Sequence, residues 1–365
     1  MIQISVIIPT RDRAEDLKIA LDSLAAQSFP RSRFEILVVN NGSTDHTKEI
    51  VHRFGQRNPD IHFRCLDEAT PGQLSGRHKG AFEAEGDILA YLDDDVIVAD
   101  GWMEAIHASF LDPEVHFATG PCVPEYEAEP PTWLEHFWKR TATTSICEFL
   151  SLIDLGDKEK DTDPMNVWGL NFAVRRDTFF ELGGFHPDCI PDDIQYLQGD
   201  GESGLVMKAS KIGLRARYNP KAKLWHRISE NRLTLRYFRR RAFYQGVCDS
   251  YTQIRNTGKF PSPLIRDRIA DDPQPPQGYR ARAKAFTRRI FGLKDQLAEL
   301  AGFVEQFNNA YLDGFKYHQK SISDRRELLN WVHKDNYLDY TLPEIDHHGE
   351  TRRKERATVR NNHKA

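Results

Sequence analysis

The chain has 365 residues, with 50 basic and 54 acidic side chains and a formal net charge of -4, which argues against a general nucleic-acid binder. Its length suffices for one large domain with an appendage, or for two domains, so no disulfide is needed to hold a core. The five cysteines, Cys65, Cys122, Cys147, Cys189 and Cys248, are scattered, odd in number and form no CxxC pair, so they suggest neither a zinc site nor a disulfide framework and fit a reducing cytoplasm.

Met1-Ile2-Gln3 runs directly into Ser5-Val6-Ile7-Ile8-Pro9 without a basic segment or cleavage site, so the start reads as a strand and not a signal peptide. No uncharged apolar run approaches the ~20 residues that cross a bilayer. Any membrane contact is expected to be peripheral, on the inner face. Short apolar runs at 3–8, 34–39, 61–66, 87–92 and 115–122 alternate with segments of helical period, the pattern of βα units around a largely parallel sheet. Leu17, Leu21 and Leu24 mark the first helix, with Asp12 placed to cap it. A second helix follows Asn41-Gly42-Ser43, with Ser43, Thr44 and Asp45 competing as N-caps, and a third spans 73–84.

From 123 to 164 periodicity weakens and Pro, Trp and charged residues accumulate, which suggests a substrate-facing excursion in which Trp133 and Trp138 suit either stacking on a ring-shaped substrate or structural packing. A strand at 167–174, helices near 175–182 and 202–212 and strands within 214–226 follow. Beyond residue 230 the chain turns helical and arginine-rich, including Arg236 to Arg241, a cluster suited either to an anionic membrane surface or to a solvated helix face. A linker is expected at 271–278, two or three helices within 284–337, and a disordered basic tail over 341–365. The resulting division is 1–230, with halves 1–122 and 123–230, then a helical region over 231–340 through which an oligomer can form.

The most informative residues are Asp93, Asp94 and Asp95, which end the apolar run Ile88-Leu89-Ala90-Tyr91-Leu92. Adjacent carboxylates at the mouth of a buried strand repel one another unless a cation or donors neutralise them. Oxygen ligands suit Mg2+ or Mn2+, with substrate phosphates completing the shell. A solvated acidic turn is the bland alternative; the strand in front disfavours it, because open α/β sheets bind ligands at the carboxyl ends of their strands. A dinucleotide site needs G-x-G-x-x-G after the first strand and a P-loop needs G-x-x-x-x-G-K-[ST]; neither is present. The glycine-rich first loop of a nucleotidyltransferase is absent too.

Three segments in register, Ser5-Val6-Ile7-Ile8-Pro9-Thr10-Arg11-Asp12-Arg13, Val38-Val39-Asn40-Asn41-Gly42-Ser43-Thr44-Asp45 and Leu92-Asp93-Asp94-Asp95, resemble the signature series of the family 2 glycosyltransferases. The resemblance covers about residues 2 to 228 and implies an α/β, GT-A type Rossmann-like fold with a C-terminal helical extension. It also implies a nucleotide-diphospho-sugar donor, UDP-sugar favoured, a divalent cation, and inverting transfer to a saccharide or lipid-linked acceptor in polysaccharide or glycoconjugate assembly. Pro9, Thr10, Arg13, Asn40, Arg77, Asp93 and Asp94 then fall on the nucleotide-sugar side, and Asp95, Asp93 and His226 on the metal. Trp168, Gly169 and Asn171 border donor sugar and acceptor.

Arg77 and Gly80 match the family's Ala-Arg-Asn-x-Gly segment, where His78 replaces Asn; Asn40 stands where the family usually has Asp. In Gly199-Asp200-Gly201-Glu202-Ser203-Gly204-Leu205 the resemblance puts the catalytic base on Glu202, with Asp200 as rival, whereas Gly201 and Gly204 replace acids of the family's Glu-Asp-x-Asp-Leu. Those departures motivate the alternative of a catalytically weak, nucleotide-sugar-binding or scaffolding subunit.

Overall fold

The computed structural model describes residues 1–258, 294–325, 327–339 and 343; the sequence's expected linker and nearly all of its expected tail lie outside these. The chain opens with β1 (Ile4–Thr10), α1 (Ala14–Ala25), β2 (Phe34–Asn40), α2 (Thr47–Arg57), β3 (His62–Asp67), α3 (Gln73–Glu83), β4 (Ile88–Leu92), β5 (Val96–Val98) and α4 (Trp102–Ser109). Strands β6 (Val115–Thr119), β7 (Cys122–Tyr126), β8 (Lys139–Arg140), β9 (Ser145–Cys147), β10 (Leu152–Asp154), β11 (Lys160–Thr162) and β12 (Asn171–Arg175) follow. Then come α5 (Arg176–Glu181), α6 (Glu202–Lys211), β13 (Arg215–Tyr218), β14 (Leu224–Ile228), α7 (Leu235–Thr257), α8 (Lys294–Asp324) and α9 (Leu328–Val332).

The main sheet has the order β11-β13-β6-β12-β4-β1-β2-β3. Strands β1, β2 and β4 are buried along their whole length, as strands covered on both faces must be, and their side chains are largely apolar, with Ser5 donating to Glu35 (2.6 Å) as a buried polar exception. β1 runs parallel to β2 and β4, with Thr10 opposite Asn40 and Ile7 opposite Tyr91. This register brings Thr10, Asn40 and the Asp93–Asp95 triplet to one rim. β12 inserts antiparallel between β4 and β6. The main sheet therefore draws strands from both sides of residue 122.

The expected strand at 115–122 breaks after Thr119, and Cys122 begins β7 in a second sheet of order β5-β14-β7-β10-β9-β8. Much of the expected excursion is thus folded strand. Trp133 packs edge-on against Phe137 and Phe238 and close to Phe303, in an aromatic core between this sheet, α7 and α8. Trp138 lies under the Arg140 guanidinium, 4.5 Å from its ring centre. Of the two readings of Trp133, structural packing is the one observed.

Helix capping also differs from expectation. Asp12 does not cap α1; its Oδ1 accepts from the backbone and hydroxyl of Thr44 (2.6 and 3.1 Å). Asp45 instead caps α1 through Ala14 N (3.1 Å) while its other oxygen accepts from Thr47 N (3.0 Å). The exchange ties the loops after β1 and β2 together, and those loops form one side of the rim. Among the described residues no helix is long and apolar enough to cross a membrane.

Candidate active site

Thr10, at the end of β1, donates to Asp94 Oδ2 (2.7 Å), and Arg13 from the following turn bonds both Asp94 (3.0 Å) and Asp95 (2.5 Å). Arg77 on α3 is 3 % exposed and donates to Asp93 Oδ1 (3.0 Å), which also accepts from Gln73 (2.7 Å). Arg232 reaches Asp95 Oδ2 (2.6 Å) from the turn after β14. Each aspartate is therefore matched by a guanidinium. The repulsion that the sequence pattern demanded be relieved is relieved here by Arg13, Arg77 and Arg232.

Electrostatics divides the triplet. Burial raises the Asp93 carboxyl, with Arg77 opposing, and pushes Asp94 up to about 7 against the pull of Arg13. Burial acts on Asp95 as well, but His226, Arg232 and Arg13 outweigh it and hold its carboxyl well below the ordinary range. Asp95 is thus the permanently ionised member. Its Oδ1 is buried without a hydrogen bond and lies 3.6 Å from His226 Nε2. His226 Nδ1 faces the Leu150 carbonyl (2.9 Å), which only accepts, and Nε2 faces Arg232 (2.6 Å), which only donates. In its neutral form His226 therefore carries the proton on Nδ1, and its Nε2 lone pair is engaged by Arg232.

The orphaned Oδ1 of Asp95 fits a divalent cation, and His226 Nε2 beside it can join only by giving up Arg232. Among the described residues no group of three or more His, Cys, Asp or Glu side chains converges as a closed metal site. Such a partial donor set suits an ion whose shell is completed by substrate phosphates.

Glu202 opens α6, and its side chain is 25 % exposed. Its Oε1 accepts from Gly169 N (3.2 Å), and Oε2 is 3.7 Å from Arg77 Nη1. Arg77 also donates to the Gly169 carbonyl (3.1 Å), so Glu202 and the aspartate rim belong to one network centred on Arg77.

The other sequence-selected residues have partners of their own. Asp200 is buried, with one oxygen on His186 (2.6 Å) and the other on Thr252 (2.6 Å), so its carboxylate is engaged in holding α7 and is corrected as a base candidate. Asn171 is fully buried between Trp102 Nε1 (3.1 Å) and the Ala222 carbonyl (2.8 Å); it ties β12 to the core and does not border a sugar. Trp168 is partly buried and donates to the Met165 carbonyl (3.0 Å), while Pro9 packs against α3 at Gly76. The Asn40 amide donates to Asp67 (2.8 Å) and its oxygen accepts from Ser43 N (3.0 Å), which brings a carboxylate back beside the position where the family usually has one. Arg13 directs its charge to Asp94 and Asp95 in this structure.

Sequence reasoning missed Gln73, Arg232 and Asp188. Gln73 lay within the quoted α3 segment, but no periodicity marks a polar residue that aims across a sheet rim. Arg232 was visible only as one arginine in a basic stretch. Asp188 lies on a loop with no pattern at all.

The departures from the family pattern have local causes. His78 is buried, accepts from Phe185 N (2.9 Å) and packs on Phe179 and Phe185; burial lowers its pKa to about 3 and keeps it neutral. Gly201 has φ +57° and ψ -130°, a conformation open to glycine alone, and an added Cβ would lie 2.8 Å from Asp188 Oδ2. At Gly204 an added Cβ would overlap the His186 ring.

The model of the family described as glycosyl transferase family 2 matches residues 5–183, which contain the β1, β2 and β4 ends and the Arg77 helix. The chain belongs to this family. Among characterised relatives, it is 25 % identical over 249 residues to the glucosyl-dolichyl phosphate glucuronosyltransferase of Haloferax volcanii, covering 67 % of this chain and 75 % of that protein. It is 38 % identical over 101 residues to glycosyltransferase AglE of the same organism, covering 28 % of this chain and 33 % of that one. Its fold is similar to the mannosyltransferase PcManGT of Pyrobaculum calidifontis, solved with GDP-Man and Mn2+, at a TM-score of 0.55 and 20 % identity over 88 % of each chain. The GT-A fold expected from the motifs is thereby borne out, and the protein is a glycosyltransferase acting with nucleotide-sugar donors.

Proposed function

We propose that this glycosyltransferase moves a sugar from a nucleotide-diphospho-sugar, with a UDP-sugar favoured, to a hydroxyl of a saccharide or glycolipid acceptor, with inversion and with divalent-cation dependence. The observation that carries the reading is the Arg77 bridge, which links Asp93 at the rim to Glu202. A base and a diphosphate-holding rim must act on opposite sides of one anomeric carbon, and a shared guanidinium keeps them in fixed relation. Asp95 Oδ1 would hold the cation, with His226 Nε2 joining it once Arg232 releases the ring. Mn2+ or Mg2+ there supplies Lewis-acid neutralisation of the diphosphate as it leaves.

The other roles belong to the protein's own groups. Thr10 and Arg13 orient Asp94 and Asp95. The half-exposed Arg13 guanidinium is then free to follow the phosphates once they compete for it. Glu202, aimed by Gly169 N, accepts the proton of the attacking hydroxyl while its oxygen bonds to the anomeric carbon. Asn40 and Asp67 stand at the β2 and β3 ends for the base and ribose. The name of the Haloferax volcanii relative, a glucosyl-dolichyl phosphate glucuronosyltransferase, supports the lipid-linked arm of the acceptor class.

The test pairs binding with turnover. Thermal shift across UDP-, GDP-, dTDP- and ADP-sugars with Mn2+ identifies the donor, since ligand at 100 times its dissociation constant stabilises by ~2.7 kcal/mol. Glu202→Gln should bind that donor as tightly as the wild type while losing roughly 10²- to 10⁴-fold in turnover. Binding without any turnover by the wild type, across donors and acceptors, favours the scaffolding alternative.

A further inference from the structure

The loop before α6 brings a second carboxylate to the site. Asp188 Oδ1 is held by Gln198 Nε2 (2.5 Å) and by Cys189 N (2.7 Å). Among the described residues its Oδ2 takes no hydrogen bond, and it is not among the atoms sealed from solvent. That oxygen lies against Gly201, the residue immediately before Glu202, at the place where a side chain at 201 would begin. Successive Cα atoms are ~3.8 Å apart, so the Asp188 carboxylate stands beside the backbone that carries Glu202 although 14 residues separate the two in sequence.

The same closeness is felt electrostatically. Burial first, and the Glu202 carboxylate second, raise the Asp188 carboxyl, while Gln198, Cys189 N–H and Arg77 pull it down. Arg77 in turn lies in the field of Asp93, Glu202 and Asp188 together. The acid that the family pattern carries at 201 cannot be built on this backbone, and an acid from another loop fills its space.

We propose that Asp188 is an acceptor-binding residue: Oδ2 takes the hydrogen bond of a hydroxyl vicinal to the one that Glu202 deprotonates, so that the acceptor is recognised as a vicinal diol. The inference rests on the glycosyl-transfer reading above and names the acceptor feature that reading leaves open. A vicinal diol can offer one hydroxyl to each of the two carboxylates, whereas an isolated alcohol meets one. No bond changes at Asp188; the proton of the attacking hydroxyl goes to Glu202 and the leaving group departs as nucleoside diphosphate.

The experiment uses the full chain, Mn2+ and the donor returned by the thermal-shift screen, with small probes as acceptors. trans-1,2-Cyclohexanediol presents the diol, and trans-2-methoxycyclohexanol presents one hydroxyl with the second masked. Donor consumption and the transfer product are measured for each, beside hydrolysis by water. The wild type is expected to prefer the diol by about tenfold or more, the size of one hydrogen bond to a charged group. Asp188→Asn, which keeps an oxygen for Gln198, should lose that preference through a raised KM for the diol and an unchanged KM for the masked probe; Asp188→Glu should restore part of it.

Equal use of both probes by the wild type, or a preference that survives Asp188→Asn, overturns the proposal while leaving glycosyl transfer standing. Absence of donor consumption with every acceptor, water included, is instead a failure of the functional reading itself. Should Asp188→Asn not fold, Asp188→Ser takes its place, and the wild-type discrimination between the two probes still supports or overturns the proposal.

Discussion

Replacing Arg77 by methionine removes the cation at the centre of the site and leaves Asp93 and Glu202 behind. The Arg77 side chain is 4 % exposed, donates to Asp93 and to the Gly169 carbonyl, and lies 5.3 Å from the Phe185 ring centre. Breaking a buried pair by deleting one partner costs about 3–5 kcal/mol, mainly from the uncompensated charge that remains. Gln73 still donates to Asp93 in the variant, which puts the expected loss at the lower end, about 3 kcal/mol. Urea unfolding of Arg77→Met, Asp93→Asn and the double variant measures it. Because the penalty is Asp93 left without its cation, Arg77→Met/Asp93→Asn should be more stable than Arg77→Met alone by about 1 kcal/mol or more. A loss below about 1 kcal/mol for Arg77→Met, or strictly additive effects in the cycle, would refute the network argument.

His78 and His318 each have a pKa lowered by burial to about 3, so in the folded chain they stay neutral while unfolded histidines protonate near 6.5. The unfolded state binds more protons below that value, so stability is lost as pH falls through 6.5; between pH 7 and 5 each contributes a loss of about 2 kcal/mol. Substituting His78→Asn should flatten that slope by its own share, and an unchanged slope in urea titrations at the two pH values would contradict it. Gly204→Ala should destabilise by about 1–2 kcal/mol, even though alanine is the better helix former, because the new methyl displaces His186 from Asp200; a higher melting temperature would count against this packing. Asp95→Asn should abolish the extra thermal stabilisation that Mn2+ gives to nucleoside-diphosphate binding, and a retained Mn2+ increment would move the cation to another residue. Asp200→Asn, if folded, should keep turnover within about tenfold of wild type where Glu202→Gln does not.

Much of this protein was legible in its sequence. Strands β1, β2 and β4 stand out because a strand buried on both faces must be a short, nearly continuous apolar run, and each ends abruptly in polar residues that mark the rim: Thr10, Asn40, Asp93. Arg77 and Glu202 were singled out through the resemblance to the family's motifs, which fall within a single helix or at its start, where local geometry is fixed by the backbone. The second sheet was less legible, because strands of two or three residues such as β8, β9 and β10 are too short to display a period.

Tertiary structure alone decided which carboxylates work together. Asp200 and Glu202 are two residues apart, yet one is bonded away to His186 and Thr252 while the other faces Arg77 and Gly169. Asp188, 14 residues distant, ends up against Gly201. The pairing of Arg13 and Arg232 with Asp95 likewise joins three separate loops. Sequence specifies an element through interactions between residues a few positions apart, but the neighbours of a charged side chain depend on how loops from distant strands converge at the sheet's edge, and no local spacing encodes that.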